Sequence, residues 1–156
     1  MNAPQPAKDG RQSILELNRL ISETRGFFND LEEVSRAILE RHGLSPQERR
    51  LMLGLRKSRR CTVPQLARKR AVSRQFVQVT MNALANRGLV EFLENPEHKR
   101  SRLLELTPTG EDLMLAVMAR EGEAMHRVAG GLSPQETKAA IEVLIRARKG
   151  LAGVGG

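Results

Sequence analysis

Six residues between positions 73 and 82 carry the most legible chemistry in this chain. At about 100° per residue, Gln75, Val79 and Asn82 fall on one side of a helical wheel, with Gln78 at its shoulder. Ser73 and Arg74 stand at the start of the same stretch. A primary amide offers a donor and an acceptor together, so Gln or Asn matches N6 and N7 of adenine, and valine matches a thymine methyl. Val77, Thr80, Met81 and Leu84 take the opposite side at i, i+3, i+4 and i+7, the spacing of a face that packs inward. A merely solvated outer face is more often charged than rich in amides. A second group is cationic: Lys99 and Arg100, with Arg102 just behind them. Together with Thr62 and Arg68 it is expected to meet sugar and phosphate and to place an arginine beside a minor groove.

The elements that must hold these residues are marked by start and stop signals. Ser45-Pro46-Gln47-Glu48 is a capping box with proline in the first turn, and Thr62-Val63-Pro64-Gln65 repeats the logic. Ser73 opens a third helix that runs through Leu84 and stops at Gly88. Residues 89–94 and 102–106 alternate apolar and polar positions, as two strands of a hairpin with one wet face. Pro96 lies in their connection, where no ladder N–H is needed. Helix, helix, turn, helix and hairpin make a winged helix-turn-helix, which lays one helix in a major groove and a hairpin tip beside it.

The flanks read as helices. Residues 13–42 keep an apolar stripe through Leu17, Leu20, Ile21, Thr24, Phe27, Phe28, Leu31, Val34 and Ile38, ended by Gly43. Thr107-Pro108 opens a further helix whose stretch 113–119 is apolar all round, so burial on several sides is expected. Gly130-Gly131 breaks it, and Ser133-Pro134-Gln135-Glu136 starts the last helix. The expected organisation is a flexible tail at 1–11, a dimerisation helix at 12–43, the winged core at 44–107, dimerisation helices at 108–150 and a flexible tail at 151–156. The fold class is therefore mainly α, with a winged helix-turn-helix core, a two-stranded β wing and long terminal dimerisation helices. The long stripe needs a partner, and a second copy of the chain supplies one.

Composition narrows the function. The net charge is +8, and it is unevenly placed. Residues 45–110 hold fourteen Lys and Arg against five Glu, a balance of +9, whereas the remainder holds twelve basic and thirteen acidic residues, a balance of −1. A cationic surface confined to the motif is the footprint expected for phosphate. The only aromatics are four phenylalanines, too few for the stacking platforms of single-strand binders. Duplex DNA is the expected partner. The first ten residues lack the apolar core of a signal peptide, and the run 113–119 is too short to span a bilayer, so a cytoplasmic protein with no membrane contact is expected. His42, His98 and His126 are far apart and none has a second ligand at helical spacing, which argues against a metal site. No phosphate loop or nucleophile elbow occurs, so neither an enzyme nor a cofactor is expected. Cys61 lies beside Arg59 and Arg60, a cationic setting that favours a thiolate.

At this point the chain resembles the multiple-antibiotic-resistance regulator family, MarR. The resemblance is carried by Leu44-Ser45-Pro46-Gln47, Thr62-Val63-Pro64-Gln65-Leu66-Ala67, Val72-Ser73-Arg74, Leu84 with Arg87-Gly88-Leu89-Val90, and Leu106-Thr107-Pro108-Thr109-Gly110. It implies a helical homodimer with a small wing, acting as a transcriptional regulator, usually a repressor, on a roughly palindromic operator. Many members release DNA when a small molecule enters a cleft between the dimer arms and the DNA-binding lobe; Phe27, Phe28 and Met52 are the candidate lining here. Others respond to oxidants or metals, but the peroxide-sensing branch uses a cysteine near the first helix together with tyrosines, and this chain has neither. Two departures stand out. The family wing commonly carries Asp-Arg-Arg where this chain has His98-Lys99-Arg100, and Phe76 occupies a position where a small polar residue is more usual. A second class is a winged-helix module that offers its basic face to an acidic protein partner; steep salt dependence on random duplex DNA separates the two.

Overall fold

Local capping chemistry sets the helix starts in the computed structural model, which describes residues 6–98 and 100–152. Ser45 Oγ accepts from the Glu48 backbone N–H at 3.2 Å, and the Glu48 carboxylate accepts from the Ser45 N–H at 2.7 Å. This reciprocal pair opens α2 (Pro46–Ser58), which follows α1 (Pro6–Arg41). Thr62 and Gln65 form the same box at the head of α3 (Val63–Arg70). Ser73 Oγ accepts from the Phe76 N–H at 3.1 Å and opens α4 (Arg74–Asn86). Between α3 and α4 the chain turns through Ala71, held left-handed at φ 53°, ψ 46°, a conformation that costs a Cβ-bearing residue about 1 kcal/mol. The Val72 N–H bonds the Ala67 carbonyl at 3.1 Å across this turn.

The hairpin is β2 (Val90–Leu93) and β3 (Leu103–Leu106), with Val90 opposite Leu106 and Phe92 opposite Leu104. A third strand, β1 (Cys61–Thr62), pairs antiparallel with Leu104 and Leu103, so the sheet has three strands in the order β1-β3-β2 rather than the two read from sequence. Two residues carry no period, and Thr62 is also the cap of α3, which hides this strand. The core lies where the sheet meets the helices. Leu51, Met52, Leu55, Leu66, Val77, Met81, Leu84 and Leu104 are all sealed from solvent, and Leu39 near the end of α1 joins them.

Two further helices complete the chain: α5 (Pro108–Ala129) and α6 (Pro134–Ala152). Thr107 Oγ1 accepts from the Gly110 N–H at 3.0 Å and donates to the Gly88 carbonyl at 2.6 Å. The first turn of α5 lies close on Leu89: a Cβ on Gly110 would fall 2.0 Å from the Leu89 carbonyl oxygen. The chain divides into two compact units, the first ending at Val117 and the second beginning at Met118. In the first, Leu39 near the end of α1 is buried and Leu20, Thr24, Leu31 and Ile38 are half-buried, while Leu17, Ile21, Phe27, Phe28 and Val34 are exposed. In the second, α6 has no buried residue. Three expectations are adjusted. The first helix begins at Pro6, because proline fits a first turn and Gly10 is tolerated within it, and the last extends to Ala152. In the stretch 113–119 only Met114 and Val117 are buried, and Leu115 and Met118 are exposed. One face of that stretch packs; the other is open.

Candidate nucleic-acid interface

The geometry of α4 follows from its pattern. Val77, Met81 and Leu84 are buried and Thr80 half-buried, which turns Gln75, Gln78, Val79 and Asn82 outward. Val79 is 61% exposed, a large value for an apolar side chain with no intramolecular role. Arg74 is exposed in the first turn, and Ser73 is spent on the cap. A cleft separates α4 from the wing. It is lined by Arg74, Gln75, Gln78 and Asn82 on the helix and by Arg100, Ser101 and Arg102 on the wing. Arg74, Gln75, Gln78 and Asn82 of the first group and Arg100 and Arg102 of the second thus face one space, where amide and cationic chemistry meet; Ser73 and Val79 are not in its lining.

The wing tip is organised by a residue the sequence reading passed over. Asn95 is buried, its Nδ2 donates to the Ser101 carbonyl at 2.9 Å, and its Oδ1 accepts from the Glu97 N–H at 3.1 Å. The Ser101 N–H bonds the His98 carbonyl at 2.9 Å. The Asn-Pro pair at 95–96 was the available signal, since such pairs start turns. Lys99 lies outside the described residues. Arg100 is exposed and, among the described residues, has neither hydrogen bond nor ion pair. Neither Glu94 nor Glu97 holds it. Arg102 differs: its guanidinium donates to the Phe92 carbonyl and lies over the Phe92 ring at 5.3 Å. It stiffens the hairpin as well as lining the cleft.

Other basic residues of the motif are drawn into the fold. Arg56 pairs with Glu111 at 2.6 Å, Arg60 with Glu105 at 2.8 Å, and Arg87 with Glu48 at 3.0 Å. Arg87 also bonds the Gly43 carbonyl at 2.7 Å, tying the end of α4 to the ends of α1 and α2. Thr62 is buried, with its hydroxyl engaged by Gln65. Arg68 is exposed and lines a second, polar groove with Gln65, Asn95, Glu97 and His98. Phe27 and Phe28 lie exposed on α1, whereas Met52 is fully buried in the winged core.

The cationic neighbours of Cys61 in sequence do not set its chemistry in the fold. Arg59 and Arg60 are exposed, but the thiol is buried in β1. Burial pushes its pKa up, against smaller downward effects from the Lys69 charge and a hydrogen bond with Ser58. Desolvation disfavours the thiolate more than nearby cations restore it. We expect Cys61 to resist iodoacetamide in the folded protein at neutral pH and to react at the rate of a free thiol in denaturant. Equal rates in both states would show that the thiol is accessible.

Among the described residues no group of three His, Cys, Asp or Glu side chains is placed to hold a metal, and no helix is long and apolar enough to cross a membrane.

Comparison with known proteins fits this geometry. A family model described as MarR family matches residues 42–101, the span from the end of α1 to the wing. The uncharacterized protein Rv2011c of Mycobacterium tuberculosis is 33% identical over 131 residues, covering 84% of this chain and 91% of its own. The crystal structure of a MarR family transcription regulator superposes with a TM-score of 0.79 at 26% identity, over 92% of this chain and 95% of that one. A mutant MarR from E. coli, crystallised in complex with operator DNA, superposes with a TM-score of 0.63 at 22% identity, over 86% of this chain and 94% of that one.

Proposed function

The chain belongs to the MarR family of winged-helix transcription regulators, and on that premise we propose that it is a cytoplasmic homodimer that represses transcription from a roughly palindromic operator until a small-molecule effector releases it. The observation that carries the DNA-binding part is the cleft in which Arg74 and the amides of α4 line one wall and Arg100 and Arg102 the other. Amides supply base-edge hydrogen bonds, and cations supply the phosphate attraction that dominates affinity. The E. coli protein that shares this fold is solved on operator DNA. The amide-rich face favours a half-site rich in A·T pairs. Dimerisation is supported by the open apolar faces of α1 and α6, and release by an effector follows the behaviour of the family.

Titration with random-sequence duplex at two salt concentrations tests the reading. Binding that weakens steeply with salt supports it; binding to polyglutamate but not to DNA overturns it. Within this reading Arg100, carried sideways by the hairpin, enters the flanking minor groove, where the potential is most negative over A·T tracts. Arg100→Ala is expected to weaken specific and random duplexes by similar factors. It should flatten the log K against log salt slope by about 1 per lost phosphate contact in each arm. A slope equal to that of the unmodified protein would remove Arg100 from the interface.

A further inference from the structure

Gln78 and Asn82, one turn apart on the outward face of α4, are bonded to each other. Gln78 Nε2 donates to Asn82 Oδ1 at 2.9 Å. Both side chains are exposed, and both line the cleft that also holds Arg74 and Arg100. We propose that the two amides work as a single coupled unit that reads adenine, an inference that rests on the DNA-binding reading above.

The argument is one of hydrogen-bond supply. Each primary amide has two N–H donors and one carbonyl acceptor. Once Gln78 gives one N–H to Asn82 Oδ1, Oε1 of Gln78 is left to accept and Nδ2 of Asn82 is left to donate, while the second Gln78 N–H stays on the nitrogen that Asn82 holds. The pair can therefore set one acceptor beside one donor. Exchanging the roles of the two amides leaves the same outward complement, an acceptor from Asn82 and a donor from Gln78. In the major groove only adenine offers the matching set, an N6–H donor beside the N7 acceptor. Guanine offers O6 and N7, two acceptors, and sets O6 against the outward carbonyl. Cytosine and thymine each offer only one of the two polar groups, the N4 donor or the O4 acceptor. The internal bond also restricts two flexible side chains before DNA arrives, so less ordering remains to be done on binding.

A purely local role is the competing account, because amide pairs at i, i+4 also support isolated helices. The two roles are separable. A helix support changes melting, whereas a reading unit changes base preference.

The test uses the intact chain. A duplex is first selected from a random library. Each adenine of its half-site is then replaced in turn by 7-deazaadenine, which lacks the N7 acceptor, by purine, which lacks the N6 amine, and by guanine paired with cytosine. At one adenine per half-site each replacement should weaken binding roughly tenfold to a hundredfold. Gln78→Ala and Asn82→Ala should each abolish that discrimination, and the double variant should do no more than either single one. Asn82→Asp keeps the acceptor for Gln78 but removes the outward donor. It should lose the 7-deazaadenine penalty and keep the purine penalty, which tests the assignment even where an alanine variant folds poorly. Discrimination that survives in either alanine variant, or single losses that multiply independently in the double variant, would overturn the coupled unit while leaving DNA binding intact. A chain that selects no duplex would overturn the DNA-binding reading and the unit with it.

Discussion

Gly110→Ala is expected to lower the melting temperature by roughly 6–12 °C, the shift that about 3 kcal/mol produces in a chain of this length. The methyl group would sit 2.0 Å from the Leu89 carbonyl oxygen and 2.9 Å from its carbon, and backbone cannot rotate aside as a side chain can. Overpacking of this kind costs about 1–3 kcal/mol and at times more. Leu89 has little freedom to yield. It is buried, its N–H bonds the Leu84 carbonyl at 3.0 Å, and its carbonyl accepts from the Thr107 N–H at 3.2 Å. Moving it disturbs the end of α4 and the entry to β2 at once. Gly26→Ala is the control. Gly26 lies within α1, and nothing would come within 4 Å of its Cβ. That substitution should stabilise the helix by about 0.5–1 kcal/mol. Far-UV circular dichroism melts of both variants decide the matter. An unchanged melting point for Gly110→Ala would mean that α5 and Leu89 separate at little cost.

Gly110 also marks what could be read from sequence and what could not. The caps at Ser45, Thr62, Ser73 and Ser133 were legible because capping chemistry is local; each acts on a backbone N–H three residues on. The outward face of α4 was legible for the same reason, since a helical period fixes it once one face is buried. Partners separated by long stretches of chain were not legible. Arg56 and Glu111 are 55 positions apart, Arg60 and Glu105 are 45, and Arg87 and Glu48 are 39. The motif's fourteen Lys and Arg therefore overstated the cations free of pairing within the fold. Burial sets the chemistry of Cys61, because its neighbours in sequence are cationic whereas its surroundings in space are largely apolar core. Asn95 was read only as part of the hairpin connection, yet its side chain closes the wing tip by bonding the Ser101 carbonyl and the Glu97 N–H. A single loop residue gives no periodicity from which that role could be inferred.

Sedimentation equilibrium at micromolar concentration is expected to give twice the 17.4 kDa chain mass. The 36 residues of α1 make a rod of roughly 54 Å at about 1.5 Å per residue, and only its C-terminal end is packed on the winged core. Along the rest, Leu17, Ile21, Phe27, Phe28 and Val34 are between 44% and 61% exposed. On α6, Ile141, Leu144 and Ile145 are 51%, 36% and 45% exposed. Soluble monomers rarely leave a large apolar face such as that of α1 uncovered, and burying one such side chain contributes about 1.5–3 kcal/mol. A second copy related by a two-fold axis would cover the open face of α1 and would carry two α4 helices to successive major grooves, about 34 Å apart. The double variant Leu17→Asp, Ile21→Asp places two carboxylates in that interface. It should dissociate the dimer while leaving the core around Leu51, Leu66 and Leu104 folded, because neither residue touches it. Operator affinity should then fall by roughly 10²- to 10⁴-fold, the gain that linking two half-site contacts supplies. Binding to an isolated half-site should change little. A 17.4 kDa species from the unmodified chain at micromolar concentration would overturn the dimer, and undiminished operator affinity in a monomeric variant would sever dimerisation from DNA recognition.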